Sequence, residues 1–177
     1  MVNITLEDIS KEPDERLRDY QLKYKSQIYT AWEREGTRSI MFQMPTGTGK
    51  TRLFTSIVKD IHKLSAQTRK ARKTLILVHR IELIHQTVEN IGYRYNIAHG
   101  VIMADYQQFD KYPTQIASIQ TLARRLPFWK EKKFDYIIID EAHHALADTY
   151  QRIFRAYPNA KILGVTATPY RLNGASF

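Results

Sequence analysis

The 177-residue sequence contains no cysteine, which excludes disulfide bonds and thiolate metal sites. A chain without cysteine is typical of a reducing, intracellular compartment. The sequence also lacks any apolar run approaching the roughly eighteen residues that a membrane-spanning helix needs. Its first twenty positions are rich in acids and bases, unlike the apolar segment of a signal peptide. We therefore expect a cytoplasmic protein with no membrane partner.

Acidic residues are scarce relative to basic ones: 18 Asp and Glu face 27 Lys and Arg, giving a formal net charge of +9. A positive surplus favours polyanionic partners such as nucleic acid. The hydrophobic share of 43% and the charged share of 25% are those of an ordinary globular chain. The length fits one domain, which can bury about 70% of the surface of its unfolded chain.

Apolar runs alternate along the chain with segments of helical periodicity. Helices are predicted where apolar residues recur at three- and four-residue steps, and strands where short apolar runs are bounded by turn residues. The alternation predicts an α/β fold with a parallel sheet covered by helices on both faces. Residues 1–16 are predicted to form an N-terminal arm and residues 17–177 the domain. The predicted strands are 39–43, 74–78, 115–118, 134–140 and 161–166, and the predicted helices are 17–35, one spanning 53–64, 81–91, 119–126 and 145–157.

Four segments of polar or small residues follow predicted strands: 44–51, 79–80, 140–144 and 166–169. Ligands of such sheets bind outside the carboxyl ends of the strands, so we expect these segments to converge on one rim. Two basic clusters, 69–73 and 130–133, precede strands instead. They are expected at the opposite edge, as solvated loops that could widen the electrostatic contact with nucleic acid.

A glycine-rich loop follows the first predicted strand and opens a helix. In this context backbone N–H groups turn toward a phosphate, Lys50 reaches the β- and γ-phosphates, and the Thr51 hydroxyl can ligate Mg²⁺. Met44 replaces the first glycine of the usual phosphate-loop pattern, while the core of the pattern is intact. The alternative is a glycine-rich turn with a solvated lysine. The predicted nucleotide-binding residues of the loop are Thr46, Gly47, Thr48, Gly49, Lys50 and Thr51.

The second chemical motif is the run Asp140-Glu141-Ala142-His143 at the end of a predicted buried strand. An acid at this strand tip suits the second Mg²⁺-holding carboxylate of a P-loop NTPase, and Glu141 is placed to orient the attacking water. His143 and His144 raise zinc as a rival. Zinc sites on helices favour histidines four residues apart, which lie on one face, whereas adjacent histidines point apart. A third interpretation makes both histidines surface residues.

Four further segments accompany these loops in order: 17–21 (Leu-Arg-Asp-Tyr-Gln), 78–80 (Val-His-Arg), 117–122 (Ala-Ser-Ile-Gln-Thr-Leu) and 164–169 (Gly-Val-Thr-Ala-Thr-Pro). With them, the chain resembles the first RecA-like domain of superfamily 2 helicases from about Leu17 to Gly174. It looks most like the DEAH-type group that contains restriction-enzyme motor subunits and RadD-type repair helicases. The resemblance implies a RecA-like P-loop NTPase fold that uses ATP and Mg²⁺.

The resemblance also implies roles for individual residues. Gln21 corresponds to the glutamine that reads the adenine edge, which suits an amide that both donates and accepts. His143, Thr166 and Thr168 correspond to residues that couple nucleotide state to nucleic acid. The predicted nucleic-acid contacts lie just past strand ends, where hydroxyls, backbone N–H groups and an arginine can bind phosphates without reading bases: His79, Arg80, Ser118, Gln120 and Thr121.

We therefore expect the ATP-binding half of a nucleic-acid-dependent ATPase motor, a helicase or translocase, with DNA favoured over RNA as its track. The sequence ends shortly after the last of these motifs, so a second RecA-like domain is expected elsewhere in a longer protein. An arginine finger on that domain can contribute roughly 10³ to 10⁵ in rate, so the isolated domain is expected to be a very poor ATPase. The alternatives are a nucleotide and nucleic-acid binding module without turnover, an RNA helicase domain, and a P-loop kinase.

Overall fold

A six-stranded, entirely parallel sheet organises the protein, with the strand order β1-β6-β5-β2-β4-β3. The computed structural model describes residues 3–12, 14, 16–45, 49–142 and 147–167. The strands are β1 (Ser39–Gln43), β2 (Thr74–Val78), β3 (Gly100–Ile102), β4 (Thr114–Ser118), β5 (Tyr136–Asp140) and β6 (Lys161–Thr166). The α-helices are α1 (Leu6–Ile9), α2 (Asp19–Glu33), α3 (Lys50–Thr68), α4 (Ile81–Glu89), α5 (Ile119–Arg124), α6 (Leu126–Trp129) and α7 (Asp148–Ala156); a π-helical turn, Asn90–Arg94, continues α4, and a 3₁₀ turn, Lys130–Lys132, follows α6.

The prediction of an α/β fold with a parallel sheet is confirmed. Strands β1, β2 and β6 have the predicted bounds, β4 begins one residue earlier, and β5 begins at Tyr136, later than predicted. The sheet also contains β3, which the sequence did not predict. None of the described helices combines the length and the apolarity needed to cross a bilayer.

Alternate residues of each strand point to opposite faces of the sheet and enter two separate hydrophobic clusters. On β5, Ile138 joins one cluster while Ile137 and Ile139 join the other. Helices α1 to α4 supply the first cluster, which contains Trp32, and helices α5 to α7 supply the second, which contains Trp129. Strands buried on both faces explain the uninterrupted apolar runs of the sequence.

The strand register brings the carboxyl ends of the strands to one rim. Gln43 lies opposite Thr166, Asp140 opposite Val165, and Val78 opposite Ser118. The predicted convergence of the polar loops on a single rim is therefore confirmed for the part of each loop that the structure describes.

The two basic clusters meet at the other edge, before β2 and β5, as predicted. The Lys73 ammonium donates a 3.0 Å hydrogen bond to the Lys132 carbonyl, and Lys132 forms a 2.8 Å ion pair with Asp110. These positive charges therefore lie away from the rim on which the candidate site is built.

The described part of the predicted N-terminal arm carries α1. Thr5 and Asp8 form a capping box in which each side chain accepts from the backbone N–H of the other residue. Leu6 and Ile9 are buried in the first cluster, and Glu33 of α2 accepts the Leu6 and Glu7 N–H groups. Helix α1 thus packs onto the same face of the sheet as α2 and α3.

Candidate functional site

An open cleft of about 630 Å³ lies at the rim, and we call it the Lys50 cleft. Residues that follow the carboxyl ends of β1, β5 and β6 line the cleft, together with the first turn of α3. Because the helix N-terminus and Lys50 face the same space, the cleft favours anions. Its lining residues are Pro45, Gly49, Lys50, Thr51, Arg52, Gln86, Glu89, Asn90, Arg94, Glu141 and Ala167.

Lys50 and Asp140 are held together at this rim. The Lys50 Nζ lies 3.1 Å from Asp140 Oδ1, and Asp140 is almost completely buried at 2% exposure. The Glu141 backbone N–H donates to the same Asp140 oxygen at 2.9 Å. The ammonium and the N–H group together compensate the buried carboxylate, which would otherwise be costly to desolvate.

Glu141 has a left-handed backbone, with φ of 55°. This conformation costs a residue with a Cβ about 1 to 2 kcal/mol and tends to occur at functional sites. Among the described residues, Glu141 Oε2 is buried and accepts no hydrogen bond. The strained backbone therefore presents a carboxylate with unused hydrogen-bonding capacity beside the Lys50 cleft.

Gln21 is 2% exposed and lies against Gly49. Its Oε1 accepts the Arg18 N–H at 2.9 Å, and its Nε2 donates to the Gly49 carbonyl at 3.1 Å. The glutamine thus links the start of α2 to the residue that precedes α3. Its predicted contact with adenine stays a prediction.

A buried polar network continues this link between α2 and α3. Lys25 lies 2.9 Å from Asp60 and donates to Ser56 at 3.1 Å. Tyr29 donates to Asp60 at 2.7 Å, and Ser56 donates to Asp14 at 2.8 Å. Lys25 and Asp60 are 1% and 4% exposed, so this is a desolvated ion pair with satisfied partners. The sequence motifs did not predict this network. Lys25 and Asp60 are residue types that usually lie on the surface, and their burial becomes apparent only in the folded structure.

A second cavity, of about 440 Å³, adjoins the Lys50 cleft and is lined by Arg16, Arg52, Arg94 and Tyr95. Arg52 and Arg94 line both spaces. The Arg16 guanidinium lies 4.5 Å from the centre of the Tyr95 ring. We call this space the arginine cavity. Sequence reasoning missed it, since its residues come from three separated segments.

The five predicted nucleic-acid residues all line one further cleft of about 660 Å³, which we call the Arg80 cleft. It lies at the carboxyl ends of β2, β4 and β3. Within it, Ser118 donates to Gln120 Oε1 at 3.1 Å. Its lining residues are His79, Arg80, Ile81, Glu82, His85, Met103, Ala104, Asp105, Tyr106, Ser118, Gln120, Thr121 and Arg124.

One ion pair joins the two clefts. Arg80 Nε lies 4.0 Å from Glu141 Oε2, with Arg80 largely exposed and Glu141 mostly buried. A ligand that binds Arg80 therefore competes with Glu141 for the same guanidinium.

Several predicted residues lie outside the described ranges: Thr46, Gly47, Thr48, His143 and Thr168. Thr166, in contrast, ends β6 as a fully buried residue whose carbonyl accepts the Met44 N–H at 2.8 Å. In the described residues no three His, Asp or Glu side chains group as a metal site would require. His143 and His144 belong to the undescribed part, so the zinc alternative is not tested.

Similarity to known proteins identifies the family of this chain. The sequence model of the family described as "Type III restriction enzyme, res subunit" matches residues 14–171. The chain belongs to this family. It is a RecA-like motor domain of the superfamily 2 helicase type, as the motifs predicted.

Two curated relatives share about a third of their aligned residues with the chain. A candidate ATP-dependent helicase of Saccharomyces cerevisiae, IRC3, is 32% identical over 164 residues, covering 86% of this chain and 23% of IRC3. The DNA 3'-5' translocase XPB2 of Sulfurisphaera tokodaii is 34% identical over 160 residues, covering 89% of this chain and 32% of XPB2. The chain thus spans about a quarter to a third of these relatives.

A solved structure, the Hef helicase domain of Pyrococcus furiosus, superimposes with a TM-score of 0.69 at 20% identity. The match covers 90% of this chain and 34% of the Hef chain. At this level of identity the likeness supports the fold alone.

Proposed function

We propose that this domain is the ATP-binding half of a nucleic-acid-dependent ATPase motor. The observation that carries the proposal is the Lys50–Asp140–Glu141 arrangement beside the Lys50 cleft, with the Arg80 cleft next to it on the same rim. Phosphoryl transfer depends mainly on positioning and on charge neutralisation, and the rim supplies groups for both.

ATP and Mg²⁺ fit the residues of the Lys50 cleft. The donor set consists of the Thr51 hydroxyl and the Asp140 carboxylate, which are the oxygen ligands that Mg²⁺ prefers. The buried Glu141 Oε2 without a hydrogen-bond donor among the described residues also fits a site that is completed by a ligand. When bound, Mg²⁺ would neutralise charge on the phosphates.

The residues of the chain then have separate tasks. Lys50 binds the β- and γ-phosphates once it exchanges its contact with Asp140 for them. The Gly49 N–H and the backbone N–H groups at the start of α3 bind the same anion. Glu141 orients the attacking water. Since Arg52 and Arg94 line both spaces, a nucleotide whose phosphates lie at Lys50 can extend into the arginine cavity, where a guanidinium can stack on the base.

The Arg80 cleft is the proposed nucleic-acid site. Arg80 and the hydroxyls of Ser118 and Thr121 suit phosphate contacts that do not depend on sequence. DNA is the favoured track, supported by the name of XPB2, a DNA translocase. The Arg80–Glu141 ion pair is the proposed link between the two sites, beside the coupling residues Thr166, Thr168 and His143.

The motor is completed by a second RecA-like domain, in agreement with relatives three to four times as long as the matched region. That domain would supply the arginine finger. We expect the isolated chain to bind ATP but to hydrolyse it very slowly.

Two variants test the proposal. With the 177-residue chain, titration of a fluorescent ATP analogue should show Mg²⁺-dependent binding, and Lys50→Ala should abolish it. In a protein that includes the second domain, Glu141→Gln should keep nucleotide binding and lose turnover. Unimpaired binding by Lys50→Ala would refute the nucleotide site, and normal turnover by Glu141→Gln would refute the water-orienting role.

A further inference from the structure

We propose that Tyr106 is a base-stacking residue of the Arg80 cleft, and that this cleft therefore takes a strand with unstacked bases, either a single strand or the single-stranded side of a junction. The inference rests on the proposed function, which assigns the cleft to nucleic acid. It adds a residue that none of the motifs contains and a choice between single-stranded and duplex ligands.

Tyr106 reaches the cleft from the loop that follows β3. In the sheet, β4 lies between β2 and β3, so Ser118 at the end of β4 lies between Arg80 and the Tyr106 loop. The aromatic ring thus borders the row of predicted phosphate contacts. A strand whose phosphates follow that row would bring its bases within reach of the ring.

The ring is both accessible and fixed. Tyr106 is 38% exposed, yet a 3.3 Å hydrogen bond joins its hydroxyl to His85 Nδ1, and its backbone N–H donates to the Met103 carbonyl at 3.1 Å. Single exposed aromatic residues are common on protein surfaces and need no special role. An exposed ring that borders a cleft, with its hydroxyl and its backbone N–H both hydrogen-bonded, is different, because stacking on it costs little side-chain entropy.

The charges of the cleft argue for stacking as well. Among the described residues that line it, Arg80 and Arg124 are balanced by Glu82 and Asp105, so the formal charge is zero when histidine is neutral. Phosphate attraction alone is therefore weak here. The same lining includes the apolar residues Ile81, Met103 and Ala104, and Ile81 is 59% exposed.

Single-strand binding proteins combine backbone contacts with aromatic platforms, and the platforms tolerate any base because every base has a π-face. A regular duplex offers phosphates and groove edges but keeps its base faces stacked inside. It would leave the Tyr106 ring without a partner. The anchored ring therefore favours a strand whose bases are open.

The test compares a fluorescently labelled oligothymidylate with an abasic strand of the same length and a blunt duplex, by anisotropy in low salt. Wild-type protein should bind the oligothymidylate about tenfold more tightly than the abasic strand. Tyr106→Ala should bind the oligothymidylate no more tightly than the abasic strand, with its affinity for the abasic strand unchanged. Tyr106→Phe, which keeps the ring and loses the hydroxyl, should retain most of the preference for the oligothymidylate.

Tyr93→Ala is the matched control, because Tyr93 is 85% exposed and lies outside the Arg80 cleft. Arg80→Ala should weaken binding to the oligothymidylate and the abasic strand alike. Three results would overturn the stacking role and leave the proposed function intact. Wild-type protein could bind the two strands with equal affinity, it could prefer the duplex, or Tyr106→Ala could weaken binding to both strands equally. Absence of binding to all three ligands would overturn the nucleic-acid site and the stacking role together.

Discussion

Gly49 and Gln21 depend on each other at the level of single atoms. Gly49 has φ of 79°, and a Cβ at this position would lie 2.3 Å from Gln21 Nε2. The glutamine amide is buried and already bonded to the Gly49 carbonyl, so it has little room to withdraw. Glycine is thus required here both for its backbone conformation and for the approach of Gln21.

Gly49→Ala is expected to destabilise the protein by about 2 to 3 kcal/mol, from left-handed strain and the displaced Gln21 hydrogen bond. Gln21→Ala should cost about 1 to 2 kcal/mol. The double variant should lose less than the sum, because the clash disappears with the side chain. Urea unfolding of all four proteins measures this, and strict additivity would show that the two residues act independently.

At the scale of elements, the buried network of Lys25, Asp60, Ser56 and Asp14 makes α2 and α3 one unit. Gln21 lies on α2 together with Lys25, and Lys50 lies on α3 together with Asp60. The ion pair therefore fixes the position of Gln21 relative to the start of α3. A buried pair adds little net stability compared with apolar residues, but removing one partner leaves a charge without compensation.

Lys25→Met should therefore destabilise the protein by about 3 to 5 kcal/mol. Lys25→Met combined with Asp60→Leu should recover part of the loss, since neither charge is then buried alone. Lys63→Met is the control: Lys63 pairs with the exposed Glu12 at 3.2 Å, and its loss should cost under about 1 kcal/mol. The free energy of unfolding is measured with urea. If Lys63→Met and Lys25→Met lowered it by similar amounts, the stabilising role of the buried network would be refuted.

The elements themselves could be predicted from sequence where apolar periodicity was long, as in α3, or where a strand was buried on both faces, as in β2. Strand β3 has only three residues, Gly100–Ile102, too few for a pattern. The capping box of Thr5 and Asp8 was a readable signal for α1, but the helix has one turn. The π-helical turn after Glu89 ended α4 earlier than its apolar pattern suggested.

The site was predictable where chemistry follows a motif, and less so where it depends on the fold. Lys50, Asp140 and the five residues of the Arg80 cleft could be named because each follows a strand, and parallel strands bring their ends together. Tyr106 and the arginine cavity could not, since their neighbours come from distant segments. Net charge was a poor guide to the position of the site, because many of the positive charges lie in the loops that contain Lys73 and Lys132, at the opposite edge of the sheet.

At the scale of the whole molecule, buried tyrosines tie stability to alkaline pH. Burial raises the pKa of Tyr136 and of Tyr150 to about 12, assisted by Glu33 for Tyr136 and by Glu141 and Asp140 for Tyr150. Burial also raises the pKa of Tyr29 and Tyr157 well above the ordinary value. All four must stay protonated in the folded protein at pH values where an unfolded chain ionises them.

The free energy of unfolding should therefore be unaffected by these tyrosines below about pH 10 and fall as the pH rises from 10 toward 12, by about 1.4 kcal/mol per pH unit for each. Urea unfolding at several pH values, with tyrosinate absorbance, measures this. Tyr150→Phe should make the fall shallower, and Tyr93→Phe at an exposed position should not. Ionisation of all eleven tyrosines near pH 10 in a folded protein would contradict the expectation.

The two hydrophobic clusters on opposite faces of the sheet also provide two separate optical probes. The chain has two tryptophans, and each is 1% exposed in a different cluster: Trp32 is a residue of α2 and Trp129 is the last residue of α6. Replacing either with phenylalanine leaves a single fluorophore whose emission reports one face. A ligand-induced change in structure around α2 and α3 could then be distinguished from a change around α5 to α7, without any attached dye.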